Sequence, residues 1–151
     1  MLTYRALGPS DLEALFTVGQ QFHAESRNYK GLSMDEARTR RILTVFLDNE
    51  MVRVFGAFNA ETLVGFIAAE VTPDPWSDRA VAHEHLMYVS PAYRSAGVGR
   101  ALATLFVQWA GTWDAAIRMT IDSGVDDAKA VSMLEGLGLE RRGTIMGREV
   151  N

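Results

Sequence analysis

The chain has 151 residues, a formal charge of −4 and no cysteine, with 48% hydrophobic and 23% charged residues. That length holds one domain, spanning residues 1–151, with a core large enough to need no staples, and the composition is that of a globular protein. The acidic balance argues against a nucleic-acid surface, the lack of cysteine excludes disulfides and a cysteine acyl-enzyme, and no apolar run reaches the roughly eighteen residues of a membrane span.

In chain order, residues 2–7 read as a first strand, punctuated by Gly8-Pro9-Ser10-Asp11. Apolar residues at three- and four-residue steps, Leu12, Leu15, Phe16, Gly19 and Phe22, predict a helix over 12–24 with one buried face. Ser33 with Glu36 three residues on forms a capping-box pattern that opens a second helix, running to Leu47. Residues 52–58 and 63–71, joined by Asn59-Ala60-Glu61-Thr62, form a hairpin. A loop with Pro73, Pro75 and Trp76 then leads into a strand over 80–89. Beyond it come a helix ending near Gly111, a strand over 115–121, a helix over 126–137 stopped by Gly138, and a last short strand over 139–150. The order is that of an α/β domain with a mixed sheet, antiparallel early and closed by a β-α-β crossover. The edge of the short last strand invites a second copy, so a homodimer is an expectation. Met1-Leu2-Thr3-Tyr4-Arg5 lacks a signal-peptide pattern, which makes the cytoplasm the expected compartment.

The most informative segment is Tyr93-Arg94-Ser95-Ala96-Gly97-Val98-Gly99-Arg100, set between the strand ending at Val89 and the helix that begins with Ala101. A helix N-terminus carries unpaired N–H donors and about half a positive charge, and two glycines let the backbone curl around phosphate oxygens. Arg94 and Arg100 add side-chain charge. A dinucleotide fingerprint needs a third glycine where Leu102 stands, and a P-loop needs Gly-Lys-Ser/Thr where Gly99-Arg100-Ala101 stands, so neither fits.

R-x-x-G-x-G at a strand-to-helix junction, carried by Arg94, Gly97 and Gly99 and preceded by Val89-Ser90-Pro91-Ala92-Tyr93-Arg94, resembles the GNAT superfamily of acetyl-CoA-dependent N-acetyltransferases. The resemblance implies an α/β fold with a mixed sheet of six to seven strands flanked by four helices, and acetyl-CoA as co-substrate. It also implies that Ser95, Ala96, Gly97, Val98, Gly99 and Arg100, with Arg94, cradle the pyrophosphate. The strand edge at Met87, Tyr88 and Val89 would pair with pantetheine, a backbone N–H near Met87 or Tyr88 meeting the oxyanion.

Only an unprotonated amine attacks a thioester, so a base is required. Imidazole, with a pKa of about 6.5, suits that task. His83 and His85 alternate onto one strand face with Met87 and Val89 unless a bulge resets the parity. His83-x-His85-x-Met87-x-Val89 resembles the arylalkylamine branch, where paired histidines serve as base, with Glu84 the rival on the other face. At the family's acid position, usually tyrosine, stands Leu134. The acceptor pocket is expected near residues 23–29 and 73–78. The expected activity is direct acetyl transfer to the primary amine of a small molecule or peptide, with no nucleic acid, membrane or metal involved. A catalytically silent acyl-CoA-binding module and a metal-assisted hydrolase using His83 and His85 stand as alternatives.

Overall fold

A computed structural model describes residues 1–148. Strands β1 (Leu2–Ala6), β2 (Val52–Asn59), β3 (Thr62–Pro73), β4 (Ala80–Val89) and β5 (Ala116–Arg118) form one sheet in the order β1-β2-β3-β4-β5. The first four run antiparallel to their neighbours; β5 is parallel to β4. Helices α1 (Leu12–Glu25) and α2 (Glu36–Asp48) follow β1, α3 (Val98–Thr112) makes the crossover from β4 to β5, and α4 (Asp127–Glu135) follows β5.

The sheet divides the core in two because successive side chains point to opposite faces. Leu15, Val18 and Phe22 of α1 pack on Val54, Phe66, Ala68 and Tyr88 on one face, with Phe46 and Leu47 of α2 alongside. On the other, Val98, Leu102, Phe106 and Trp109 of α3 pack on Ala57, Ile67, Ala69 and Ala82. The three-four spacing read over residues 12–24 is therefore the buried stripe of α1, with Leu15, Phe16 and Phe22 at its centre.

Four helices and the crossover match the expected architecture, but five strands stand among the described residues in place of six to seven. The expected strand over 139–150 is not formed as far as residue 148, and residues 140–148 are exposed; its remaining positions lie outside the described residues. Arg141, Arg142, Gly143 and Gly147 leave that stretch without the alternating apolar residues that would anchor it to a sheet. The edge on which dimer pairing was to rest is thus absent through residue 148, and the outer strands are β1 and β5. The cap of α2 also differs: Asp35, not Ser33, accepts the Arg38 N–H at 2.9 Å, while Glu36 turns to Arg40. Strand β5 is three residues long against the seven expected, because it pairs only with Val81–His83 before β4 bends away.

That bend is a β-bulge. Ala68 lies opposite Leu86 and Ala69 opposite Glu84, so His85 is the extra residue.

Phe106, fully buried under the sheet, is the largest wholly enclosed side chain. Phe106→Ala should lower unfolding free energy by about 3–5 kcal/mol, read from urea denaturation; a loss under 1 kcal/mol would mean α3 does not hold this face.

Candidate active site

The bulge resets the parity of β4. Ala80 and Ala82 face α3 before it, and Met87 and Val89 face α3 after it, while Leu86 and Tyr88 face α1 and α2. His83 and His85 do share a face, but it is the α1/α2 side and not that of Met87 and Val89. His83 lies opposite Glu70 and is exposed. The His85 ring sits 5.2 Å from that of Phe46, and its Nε2 is 2.9 Å from Glu70 Oε2.

Beyond His83 the ladder to β5 ends, so β4 and the segment after β5 diverge into a V-shaped cleft of about 270 Å³. Glu84, His85 and Met87 line one wall, Thr120 and Asp122 the other, and Phe22 and Tyr29 reach in from the α1 side. The cleft-side backbone groups of β4 from Glu84 onward have no partner strand in β5, an arrangement that leaves N–H and C=O groups open to an extended ligand. Trp76, on the β3–β4 loop, is 92% exposed and lies apart from this cleft.

Glu84 is the most perturbed group in the cleft. Its Oε2 is buried with no hydrogen-bond partner among the described residues. Burial, opposed only by the Thr120 backbone N–H, pushes its carboxyl up to about 7.

At the end of β4 the chain enters the glycine loop. Gly97 is the N-cap of α3 with φ +77°, a left-handed conformation that side chains with a Cβ resist. The first helical bond runs from Ala101 N–H to Gly97 O, which leaves the N–H groups of Val98, Gly99 and Arg100 without an intrahelical partner. A Cβ on Gly99 would stand 3.9 Å from Val89 Cγ2 and 4.0 Å from Met133 Cε, ordinary contacts. The protein's own packing therefore does not require glycine there.

The Arg94 side chain turns away from these N–H groups. Its Nε donates to Val89 O at 2.9 Å, and its two terminal nitrogens donate to the two carboxylate oxygens of Glu25, the last residue of α1, at 2.5 and 2.6 Å. Tyr88 donates its hydroxyl to the same carboxylate at 2.7 Å. Arg94, foremost, holds the Glu25 carboxyl below its usual range, whereas burial and then Glu25 push the Tyr88 phenol up to about 12. Sequence reading placed Glu25 only within the 23–29 stretch expected to shape the acceptor pocket, and not as the partner of Arg94.

Leu134, at the family's acid position, is 5% exposed on α4, and Ala130 one turn earlier touches the cleft. Among the described residues no cluster of three or more His, Asp or Glu is placed to hold a metal ion, and no helix is long and apolar enough to cross a membrane.

The fold is shared with solved acetyltransferases. An aminoglycoside acetyltransferase, HMB0005, from an uncultured soil metagenomic sample superposes with a TM-score of 0.76 at 20% identity, covering 100% of this chain and 99% of that one. Ribosomal-protein-alanine N-acetyltransferase from Brucella melitensis biovar Abortus 2308 gives 0.78 at 14% identity, covering 100% and 99%. A predicted acetyltransferase with acetyl-CoA from Clostridium acetobutylicum gives 0.76 at 14%, covering 99% and 96%. At the level of sequence, no curated protein matches significantly. The sequence pattern of the acetyltransferase (GNAT) family, however, spans residues 18–139, containing the cleft-lining residues of β4, the glycine loop and α4, and this chain belongs to that family.

Proposed function

We propose that the protein transfers the acetyl group of acetyl-CoA directly to the primary amine of a small molecule or peptide, with Glu84 as the base. The observation that carries the reading is Glu84 itself: a desolvated carboxyl with an unpartnered oxygen, at the mouth of a cleft flanked by open strand backbone.

A carboxyl titrating near 7 takes a proton from an ammonium, directly or through one water, far better than an ordinary carboxylate near 4.3. His85 lines the same cleft but is engaged with Glu70, and His83 points to solvent on the α1/α2 side. The cradle formed by Ser95, Ala96, Gly97, Val98, Gly99 and Arg100 holds the pyrophosphate through backbone N–H groups. The edge of β4 at Met87, Tyr88 and Val89 pairs with the pantetheine amides, and one of its N–H groups meets the developing oxyanion. Acetyl-CoA brings the thioester that makes the acyl carbon electrophilic. Without cysteine the chain has no thiol to carry an acyl intermediate, which favours transfer in one ternary complex.

The acceptor enters from the α1 side, between Tyr29 and Asp122. Solved neighbours are described as acetyltransferases of an aminoglycoside and of ribosomal-protein alanine, and both acceptors present amines.

The parent's kcat/KM should rise through pH 7; Glu84→Gln should lower kcat by about 10²–10⁴-fold and abolish that rising limb, and the double variant His83→Gln/His85→Gln should keep it. A Glu84→Gln variant with the parent's rate and pH profile removes Glu84 as base. Burial raises the folded pKa of Glu84 above the unfolded value, so this group favours folding fully below about 4.5 and loses that contribution as pH rises through about 7. Glu84→Gln should accordingly flatten the stability profile over that window.

Gly99→Val should fold, since the site has room for a Cβ, yet bind acetyl-CoA at least tenfold more weakly by calorimetry. Unchanged affinity would remove the cradle. Gly97 is a poorer test, because a β-branched residue at φ +77° strains the fold as well. Release of free thiol with any member of an amine panel separates an enzyme from a silent acyl-CoA-binding module.

A further inference from the structure

The glycine loop is held lightly by its own backbone. Between Tyr93 and the start of α3, its bonds are Arg94 N–H to Pro91 O at 3.4 Å and Ala96 N–H to Tyr93 O at 3.2 Å, and Ser95, Ala96 and Gly97 lie at the surface. A loop this open has conformational freedom to lose when a ligand binds, unless something else fixes it first.

The Arg94 side chain supplies that fixing. Its Nε closes a ring back to Val89 O, clamping the turn of residues 90–93, and its two terminal nitrogens meet Glu25 as a two-pronged pair. The guanidinium also lies 5.5 Å from the Tyr88 ring. Three of its five N–H donors, that of Nε and one on each terminal nitrogen, are thus committed inside the protein.

Glu25 is a firm anchor because the residues after it are fastened. Ser26 is wholly buried, and its hydroxyl donates to Ser123 O. Arg27 N–H donates to Gly124 O at 3.2 Å, and Asn28 Nδ2 donates to Asp122 O at 2.9 Å. Residues 25–28 thus tie the head of the glycine loop to the wall of the cleft that follows β5.

We infer that Arg94 is not a phosphate ligand but a positioning residue, and that the Glu25–Arg94 pair, with Tyr88 completing the carboxylate's bonds, holds the glycine loop in the shape that receives the pyrophosphate. The inference rests on the acetyltransferase reading of this loop. It inverts the role expected of a motif arginine: the charge serves Glu25, and the backbone serves the ligand.

Lysine separates the two roles, because an ammonium retains charge for a phosphate but cannot span a carboxylate and the Val89 carbonyl at once. Calorimetric titration of the full chain with coenzyme A should show Arg94→Lys, Arg94→Gln and Glu25→Gln each weakened by a similar factor of about ten, and the double variant Glu25→Gln/Arg94→Gln no weaker than the poorer single. The kcat at saturating acetyl-CoA should stay within about twofold of the parent while KM for acetyl-CoA rises, since Glu84 is untouched. Glu25→Gln, a near-isosteric change, carries the test independently of any misfolding of an Arg94 variant, and circular dichroism reports the fold of each.

If Arg94→Lys binds like the parent while Arg94→Gln does not, or if Glu25→Gln binds as tightly as the parent or tighter, the arginine contacts the phosphates and the inference falls alone. A parent chain that does not bind coenzyme A overturns the acetyltransferase reading and this inference with it.

Discussion

One extra residue in β4 sets the rest of the site. With His85 unopposed in the ladder, the strand twists away from β5 after a three-residue pairing, and everything chemical follows from that divergence. It opens the cleft and leaves the cleft-side edge of β4 beyond His83 without a neighbouring strand. Glu84, before the extra residue, keeps the face of Ala82 and α3, whereas Leu86 and Tyr88, after it, are turned to α1 and α2. A regular strand would have paired those backbone groups with β5 and left no room for a ligand to add itself as the next strand. The sheet gives up ladder hydrogen bonds here, and the two apolar faces compensate for the loss: α3 under one side and α1 with α2 over the other hold β4 by packing rather than by edge pairing.

Two glutamates illustrate how environment assigns roles to one side chain. Glu25 meets a guanidinium and a phenol, so its charged form is favoured. Glu84 is buried with one oxygen unpaired, so its neutral form gains. The first is suited to holding structure and the second to exchanging a proton. Neither role follows from residue type, and the contrast points to Glu84 rather than any other carboxylate as the group poised near neutrality.

Local signals were legible in the sequence. The hairpin, the amphipathic helices and the strand-loop-helix around Gly97 and Gly99 depend on residues within a few positions of each other, and each stands close to where the pattern places it. The turn at Gly138, with φ +87°, is of the same kind, although α4 itself ends three residues earlier at Glu135. Register is different. The face of each β4 residue depends on which residue of β3 stands opposite it, and nothing between Ala82 and Val89 marks His85 as the one left over. The Arg94–Glu25 bond joins positions 69 apart, so the motif suggested a free charge where the fold has a committed one. The cap at Asp35 was missed for a smaller reason: Ser33 and Asp35 both precede the helix, and the pairing of Glu36 with Arg40, one turn ahead, draws off the partner that a box at Ser33 would need.

The acid half of the reaction is also constrained by the fold. Leu134 cannot donate a proton, and the Tyr88 hydroxyl is turned to Glu25 on the α1 side, with its phenol held well above the ordinary range. A coenzyme A thiolate resembles a free thiol of pKa about 8.5, a fair leaving group even without an acid. The proton taken from the amine must still end on that sulfur or in solvent. Glu84, titrating near neutrality inside the cleft, can release what it has taken without a second residue, because neither of its protonation states is strongly favoured at pH 7. On the proposed reading, one carboxyl near 7 serves both to accept the proton and to give it up, which offsets the leucine at position 134.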